Sequence, residues 1–170
     1  ELLGQVLDGF GRPIAGEGPS AFVEADTPDA TAVLCEAPLP TERPRISRAL
    51  ATGVRSIDGL LTLGEGQRVG LFAGAGCGKT TLLAEIARNV ECDVIVFGLI
   101  GERGRELREF LDHELDDQLR AKAVLVCATS DRSSMERARA AFTATALAEG
   151  FRRKGRSEEH TSELQSPVRS

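Results

Sequence analysis

Residues 67–83 read QRVGLFAGAGCGKTTLL: a short apolar run, a turn holding Gly74, Gly76 and Gly78, then Lys79-Thr80-Thr81 and an apolar pattern with helical spacing. A strand that passes through such a turn directly into a helix leaves few folds open, because strands alternating with helices build a parallel sheet. The turn has the chemistry of a phosphate cradle. Glycines let backbone N–H groups approach an anion, the Lys reaches the β- and γ-phosphates, the following Ser or Thr hydroxyl holds Mg²⁺, and the helix N-terminus faces the same charge. On that reading Ala73, Gly74, Ala75, Gly76, Cys77, Gly78, Lys79, Thr80 and Thr81 contact nucleotide, and Thr80 is the metal ligand. The strict motif asks for Gly at the position of Ala73, where a methyl group fits if the residue keeps ordinary strand dihedrals. A glycine-rich turn without a ligand is the alternative.

The rest of the chain extends the pattern. CDVIVFGLI (92–100) and AKAVLVCAT (121–129) read as further buried strands beside QRVGLFA (67–73), and RELREFLDHELDD (105–117) reads as helical. Ser133-Ser134-Met135-Glu136 opens a long helix with a capping-box arrangement. Strands this rich in Val, Ile and Leu indicate a parallel sheet covered by helices on both faces. Residues 1–48 differ: β-prone pieces broken by Gly and Pro, then the Pro-rich CEAPLPTERPRISR. They read as the end of a β-rich unit and a linker, or as an irregular N-terminal loop. From Arg156 onward the chain is RSEEHTSELQSPVRS, whose only aliphatic residues are Leu164 and Val168. A strand buried on both faces is not expected there, and the fold is expected to break off.

Composition narrows the partners. A net charge of −5 with neither Trp nor Tyr argues against a nucleic-acid surface, which needs basic excess or stacking platforms. Cys35, Cys77, Cys92 and Cys127 are widely spaced, which fits neither a disulfide framework nor a zinc site. His113 and His160 have no second ligand at helical spacing and read as structural or surface residues. No apolar run reaches the roughly 18–20 residues of a membrane helix.

A second constellation, IGERGRE (100–106), follows the strand at 92–100. Ligands of open parallel sheets gather outside the carboxyl ends of the strands, so Glu102 is placed on the rim that carries the glycine-rich turn. A carboxylate there can orient and polarise an attacking water. Arg103 or Arg105 can stabilise charge or contact a neighbouring subunit. A charged helix start is the plainer reading, since Glu in a first turn favours the helix dipole.

LGQVLDGFGRPI, ATGVRSIDGLLTLGEGQRVGLFAGAGCGKTTLL, GLIGERGRELREFL and ATSDRSSMERARAAFTATALAEGFR together resemble the ATPases of type III protein secretion. These are relatives of the catalytic subunit of rotary ATP synthases, and the similarity covers Leu2 to about Gly155. The resemblance implies an α/β fold of the P-loop NTPase (RecA-like) kind, truncated, preceded by the end of a β-barrel domain. Its expected divisions are 1–48 for barrel end and linker, 49–155 for the first part of the ATPase domain, and 156–170 for a tail.

The resemblance also implies ATP and Mg²⁺ as cofactors and Glu102, Lys79 and Arg103 as catalytic groups, and it tolerates Ala73. It further implies a homo-hexamer at the cytoplasmic face of the inner membrane, where an export apparatus, export chaperones and secreted proteins are the partners. The stretch after ATSD is similar to that of injectisome ATPases more than to that of flagellar export ATPases. Another rotary-type subunit, or a non-catalytic module that docks chaperones, are the other readings. RSEEHTSELQS is similar to a translated DNA-sequencing adapter, so 156–170 are expected to be foreign. The chain is expected to lack the Walker B Asp, the trans arginine finger, the adenine-stacking region and the C-terminal domain, and to be nearly inactive; an arginine finger alone contributes roughly 10³–10⁵ in rate.

Overall fold

The structure is a computed structural model that describes residues 2–14, 21, 30–74, 76–155 and 158–164, the last stretch as backbone only. In chain order the elements are β1 (Val6–Leu7), β2 (Ala49–Leu50), α1 (Arg55–Leu60), β3 (Leu63–Gly64), α2 (Lys79–Asn89), β4 (Val94–Ile100), α3 (Gly104–Glu109), α4 (Asp117–Lys122), β5 (Ala123–Ala128), α5 (Ser134–Arg153) and β6 (Glu158–Leu164). They form two compact units, one of residues 1–34 with 92–170 and one of residues 35–91.

The larger unit is built on a four-stranded parallel sheet in the order β1-β5-β4-β6. All residues of β4 and β5 are buried, as continuous apolar strands covered on both faces must be. Side chains alternate across a strand, and the register sets Val96 beside Val124 and Phe97 beside Leu125. On one face Val94, Val96, Ile100, Val126 and Ala128 pack against Ala140, Ala144 and Ala148 of α5. Those alanines recur every four residues, so a single small-residue stripe lets the helix lie close to the sheet. On the other face Phe97 meets Phe110 edge-on, ring centroids 5.3 Å apart. Ser133 caps α5, its hydroxyl accepting the Glu136 N–H at 3.1 Å, as the capping pattern predicts.

The N-terminal residues join this unit. A turn at 8–12 is closed by the Asp8 carboxylate, which accepts the N–H groups of Phe10 (2.8 Å) and Arg12 (2.9 Å). Gly9 lies so close to α5 that a Cβ there would come within 2.6 Å of the Glu136 carbonyl oxygen, and its own carbonyl accepts the Thr143 hydroxyl at 2.8 Å.

Three expectations fail locally. The run 67–73 forms no strand: among the described residues none pairs with it, and Val69, Leu71 and Phe72 are exposed. An apolar run becomes a strand only where a neighbour completes its ladder. The helix expected over 105–117 is broken by a π turn at Phe110–Glu114, after which Asp116 accepts the Leu119 N–H at 2.8 Å and starts α4. Finally, the tail expected to lie outside the fold supplies β6, paired in parallel with all seven residues of β4. A ladder is made of backbone groups, which any residue but Pro can offer, so pairing does not require apolar side chains.

In the smaller unit β2 and β3 pair antiparallel around α1, with Leu50 opposite Leu63. The helix α2 carries the glycine-rich turn at its N-terminus.

Candidate nucleotide site

Gly76 (φ +77°) and Gly78 (φ +79°) both sit in the left-handed region, which costs other residues about 1–2 kcal/mol. A Cβ on either would meet nothing within 4 Å. Backbone conformation, not crowding, therefore selects glycine at both positions, and the space over the loop is open. The Cys77 N–H donates to the Gly74 carbonyl at 3.4 Å and draws the turn together. Gly78 is the residue before α2, and no side chain among the described residues caps that helix. Its first turn, Lys79-Thr80-Thr81, contains no acidic residue. An uncapped helix start with a Lys and two hydroxyls has the polarity an anion requires.

Ala73, Gly74, Cys77, Gly78 and Thr81 are exposed, while Lys79 and Thr80 are half-buried; Ala75 lies outside the described residues. Among the described residues no cluster of three or more His, Cys, Asp or Glu could hold a metal by itself. Mg²⁺ is commonly bound through one or two protein ligands, substrate phosphates and water. The Thr80 hydroxyl fits such a partial ligand set.

The second group of expected residues belongs to the larger unit. Past the end of β4, Gly101 takes φ +82° and turns the chain, its N–H donating to the Ala128 carbonyl at 2.8 Å. The next carbonyl, that of Glu102, accepts the Ser130 N–H at 2.8 Å. The Glu102 turn is thus tied to the loop after β5, and its side chain is buried (5% exposed). A buried carboxyl group at a strand's C-terminal end is where the sheet topology places ligand chemistry. Arg103, the residue that starts α3, is exposed and reaches Glu106 at 3.8 Å. Arg105 reaches Glu109 at 4.0 Å.

Glu106 did not stand out in the sequence. Its carboxyl is held below the usual Glu range, chiefly by a hydrogen bond with Glu102, then by the Arg103 charge, the Arg103 N–H and the Arg105 charge, against a cost of burial. The signal that could have found it is an acidic residue three positions after the cap Arg103, in the first turn of α3. A groove of about 280 Å³ along α3, lined by Gly104, Leu107, Arg108, Leu111 and Asp112, includes none of the expected site residues.

A parallel α/β sheet, an anion-ready glycine turn and a buried carboxyl group past β4 are features of a nucleotide-binding domain. Residues 53–158 match the nucleotide-binding domain of the ATP synthase alpha/beta family, and the chain belongs to that family. Over 155 residues it is 72% identical to the type 3 secretion system ATPase of Pseudomonas syringae pv. tomato (strain ATCC BAA-871 / DC3000), covering 91% of this chain and 34% of that protein. Over 155 residues it is 46% identical to the flagellum-specific ATP synthase of Bacillus subtilis (strain 168), again covering 91% and 34%. Among solved structures it is similar to the assembled ATPase EscN in complex with its central stalk EscO, from the enteropathogenic E. coli type III secretion system. That match has a TM-score of 0.82 at 47% identity and covers 95% of this chain and 38% of the other. The chain therefore spans about a third of the length of the curated relatives it matches.

Proposed function

We propose that the intact protein carrying this chain hydrolyses ATP to drive protein export through a type III secretion apparatus. The observation that carries the reading is 72% identity to a secretion ATPase across 155 residues that take in both the glycine turn and the Glu102 turn. The flagellar export ATPases are the second reading; the lower identity of 46% makes it the weaker one. A non-catalytic module that docks chaperones is the reading from another class.

In the proposed mechanism the backbone N–H groups of residues 73–78 and the start of α2 surround the phosphates. Lys79 neutralises the β- and γ-phosphates, and the hydroxyls of Thr80 and Thr81 face the same anion. Bound Mg²⁺ would be held by Thr80 and would offset the charge that develops on the phosphoryl oxygens. Glu102 accepts a hydrogen bond from the attacking water and aligns it with the γ-phosphorus. Arg103, exposed at the start of α3, balances charge at the γ-phosphate.

The remaining assignments follow the same reading. The assembly is a homo-hexamer at the cytoplasmic face of the inner membrane, working on export chaperones and their cargo. Residues 1–48 close a β-barrel domain, 49–155 begin the ATPase domain, and 156–170 are foreign to the natural protein. The 170 residues alone are at most a weak nucleotide binder with turnover close to background.

The test uses the intact protein. Lys79→Ala should abolish nucleotide binding, ATPase activity and secretion together. Glu102→Gln should keep binding and lose roughly 10²–10⁴-fold in kcat, the usual weight of a positioned acid–base group. Unchanged secretion by Lys79→Ala would refute the enzyme reading and leave the docking module.

A further inference from the structure

The Glu102 turn lies between a left-handed glycine, Gly101 at φ +82°, and Arg103, the cap of α3. Two backbone hydrogen bonds hold it, both 2.8 Å long: the Gly101 N–H donates to the carbonyl of Ala128, the last residue of β5, and the Glu102 carbonyl accepts the Ser130 N–H. The first bond is anchored on a buried strand. The second is anchored on a loop whose residues 130–133 are exposed, and it is only as firm as that loop. Within the loop the Arg132 N–H donates to the Thr129 carbonyl at 3.0 Å, which ties the loop to itself and not to its surroundings. The tie to a helix comes from Arg137 of α5. Its guanidinium donates from Nη1 to the Ser130 carbonyl at 3.2 Å, seven residues back along the chain. Ser130 is thus held on both sides, by Glu102 through its N–H and by Arg137 through its C=O. The helix behind Arg137 is a fixed support: Ala140 and Ala144 are fully buried against the sheet, and the Thr143 hydroxyl donates to the Gly9 carbonyl at 2.8 Å.

We propose that Arg137 is a positioning residue for the hydrolytic reaction: it fixes Ser130, and through Ser130 the place of Glu102 past the end of β4. The proposal rests on the reading of Glu102 as the water-polarising group. In this role Arg137 touches neither nucleotide nor water; it acts through two hydrogen bonds in series, from α5 to the loop and from the loop to the Glu102 turn. A group that aligns a water must lie within hydrogen-bond reach of it, and a displacement of about 1 Å can cost on the order of 10²-fold in rate. Loss of one half-buried tether should move the turn by a fraction of that distance, so a reduction of about 5–20-fold in kcat is expected.

The test compares variants of the intact protein by steady-state and single-turnover ATPase kinetics and by hydrogen exchange read by mass spectrometry. In Arg137→Ala the stretch 129–133 should exchange about threefold faster or more, since the Ser130 N–H loses protection when its loop loosens. The same variant should show the fall in kcat, with the Kd for Mg-ATP within about twofold of wild type, because the phosphate cradle is untouched. Arg137→Lys keeps a cationic donor on a long side chain and should lie between Ala and wild type in both readouts. The decisive comparison is made in a Glu102→Gln background, where Arg137→Ala should cause no further loss of the residual rate, because the group it positions is already gone. An equal fold-loss in both backgrounds, as general destabilisation would give, overturns the proposal. So does an unchanged kcat in Arg137→Ala, or loop exchange that does not move. Full ATPase activity in Glu102→Gln would instead sink the underlying assignment of Glu102.

Discussion

Asp58 lies inside the first turn of α1, yet it folds back to hold the residues before the helix. Its carboxylate accepts the Thr52 N–H (2.9 Å), the Thr52 hydroxyl (2.7 Å) and the Gly53 N–H (3.0 Å), and Thr52 is fully buried. These contacts, the Thr52 N–H foremost, hold the Asp58 carboxyl below the usual range. A folded-state pKa below the unfolded value gives stabilisation that is present above about pH 4, the ordinary Asp value, and lost as pH falls through the lowered one. Asp58→Asn is therefore expected to be less stable than wild type at neutral pH, with the difference closing as acid protonates the wild-type carboxyl. Urea midpoints measured at several pH values check this; a gap that stays constant into acid would contradict it. The proposed nucleotide residues were easier to read from sequence than Asp58, because Gly76, Gly78 and Lys79 belong to one short motif with one chemical purpose. A carboxylate that binds a backbone six residues away has no comparable signature until the helix between them is in place.

Among the elements, β4, β5, α2 and α5 were legible because each carries its own period or cap. The breaks were not. The π turn at Phe110–Glu114 belongs to a packing arrangement, with Phe110 against Phe97 on the sheet, that no local pattern announces. Run 67–73 has the composition of a strand but not the partner, and composition cannot supply one. The spacing of Ala140, Ala144 and Ala148 does carry a quantitative consequence. Because Ala144 is fully buried against Val94, Val96 and Val126, there is no room for added methylenes. Ala144→Leu should cost about 1–3 kcal/mol through overpacking. Ala138→Leu, on the exposed side of the same helix, should change stability by less than about 0.5 kcal/mol. Denaturant unfolding at constant m-value separates the two; equal effects would mean that the stripe does not set the distance between helix and sheet.

For the molecule as a whole, the consequential element is the one the sequence least predicts. β4 is the central apolar strand, and its two edges are covered by β5 and β6. β5 is held in that place by the same apolar burial that buries β4, but β6 has Glu158, Glu159, His160, Thr161, Ser162 and Glu163 before its single aliphatic residue, Leu164. Its pairing with Val94–Ile100 is made by ladder hydrogen bonds, each contributing about 0.5–1.5 kcal/mol net, and its sequence lacks the alternating apolar pattern that usually specifies register. Deleting residues 156–170 would leave the N–H and C=O groups of one side of β4 without their partners, in a strand whose seven residues are all buried. Such an edge is a template for another chain. The shortened chain is expected to associate with itself, and light scattering should show dimers or larger species growing with concentration, while the 170-residue chain stays monomeric. Thr161→Pro, which removes one ladder N–H from the middle of β6, should move the full chain part of the way toward the same behaviour. A truncated chain that remains monomeric with unchanged circular dichroism would mean that β6 does not protect β4, and that α5 and β5 alone hold the sheet.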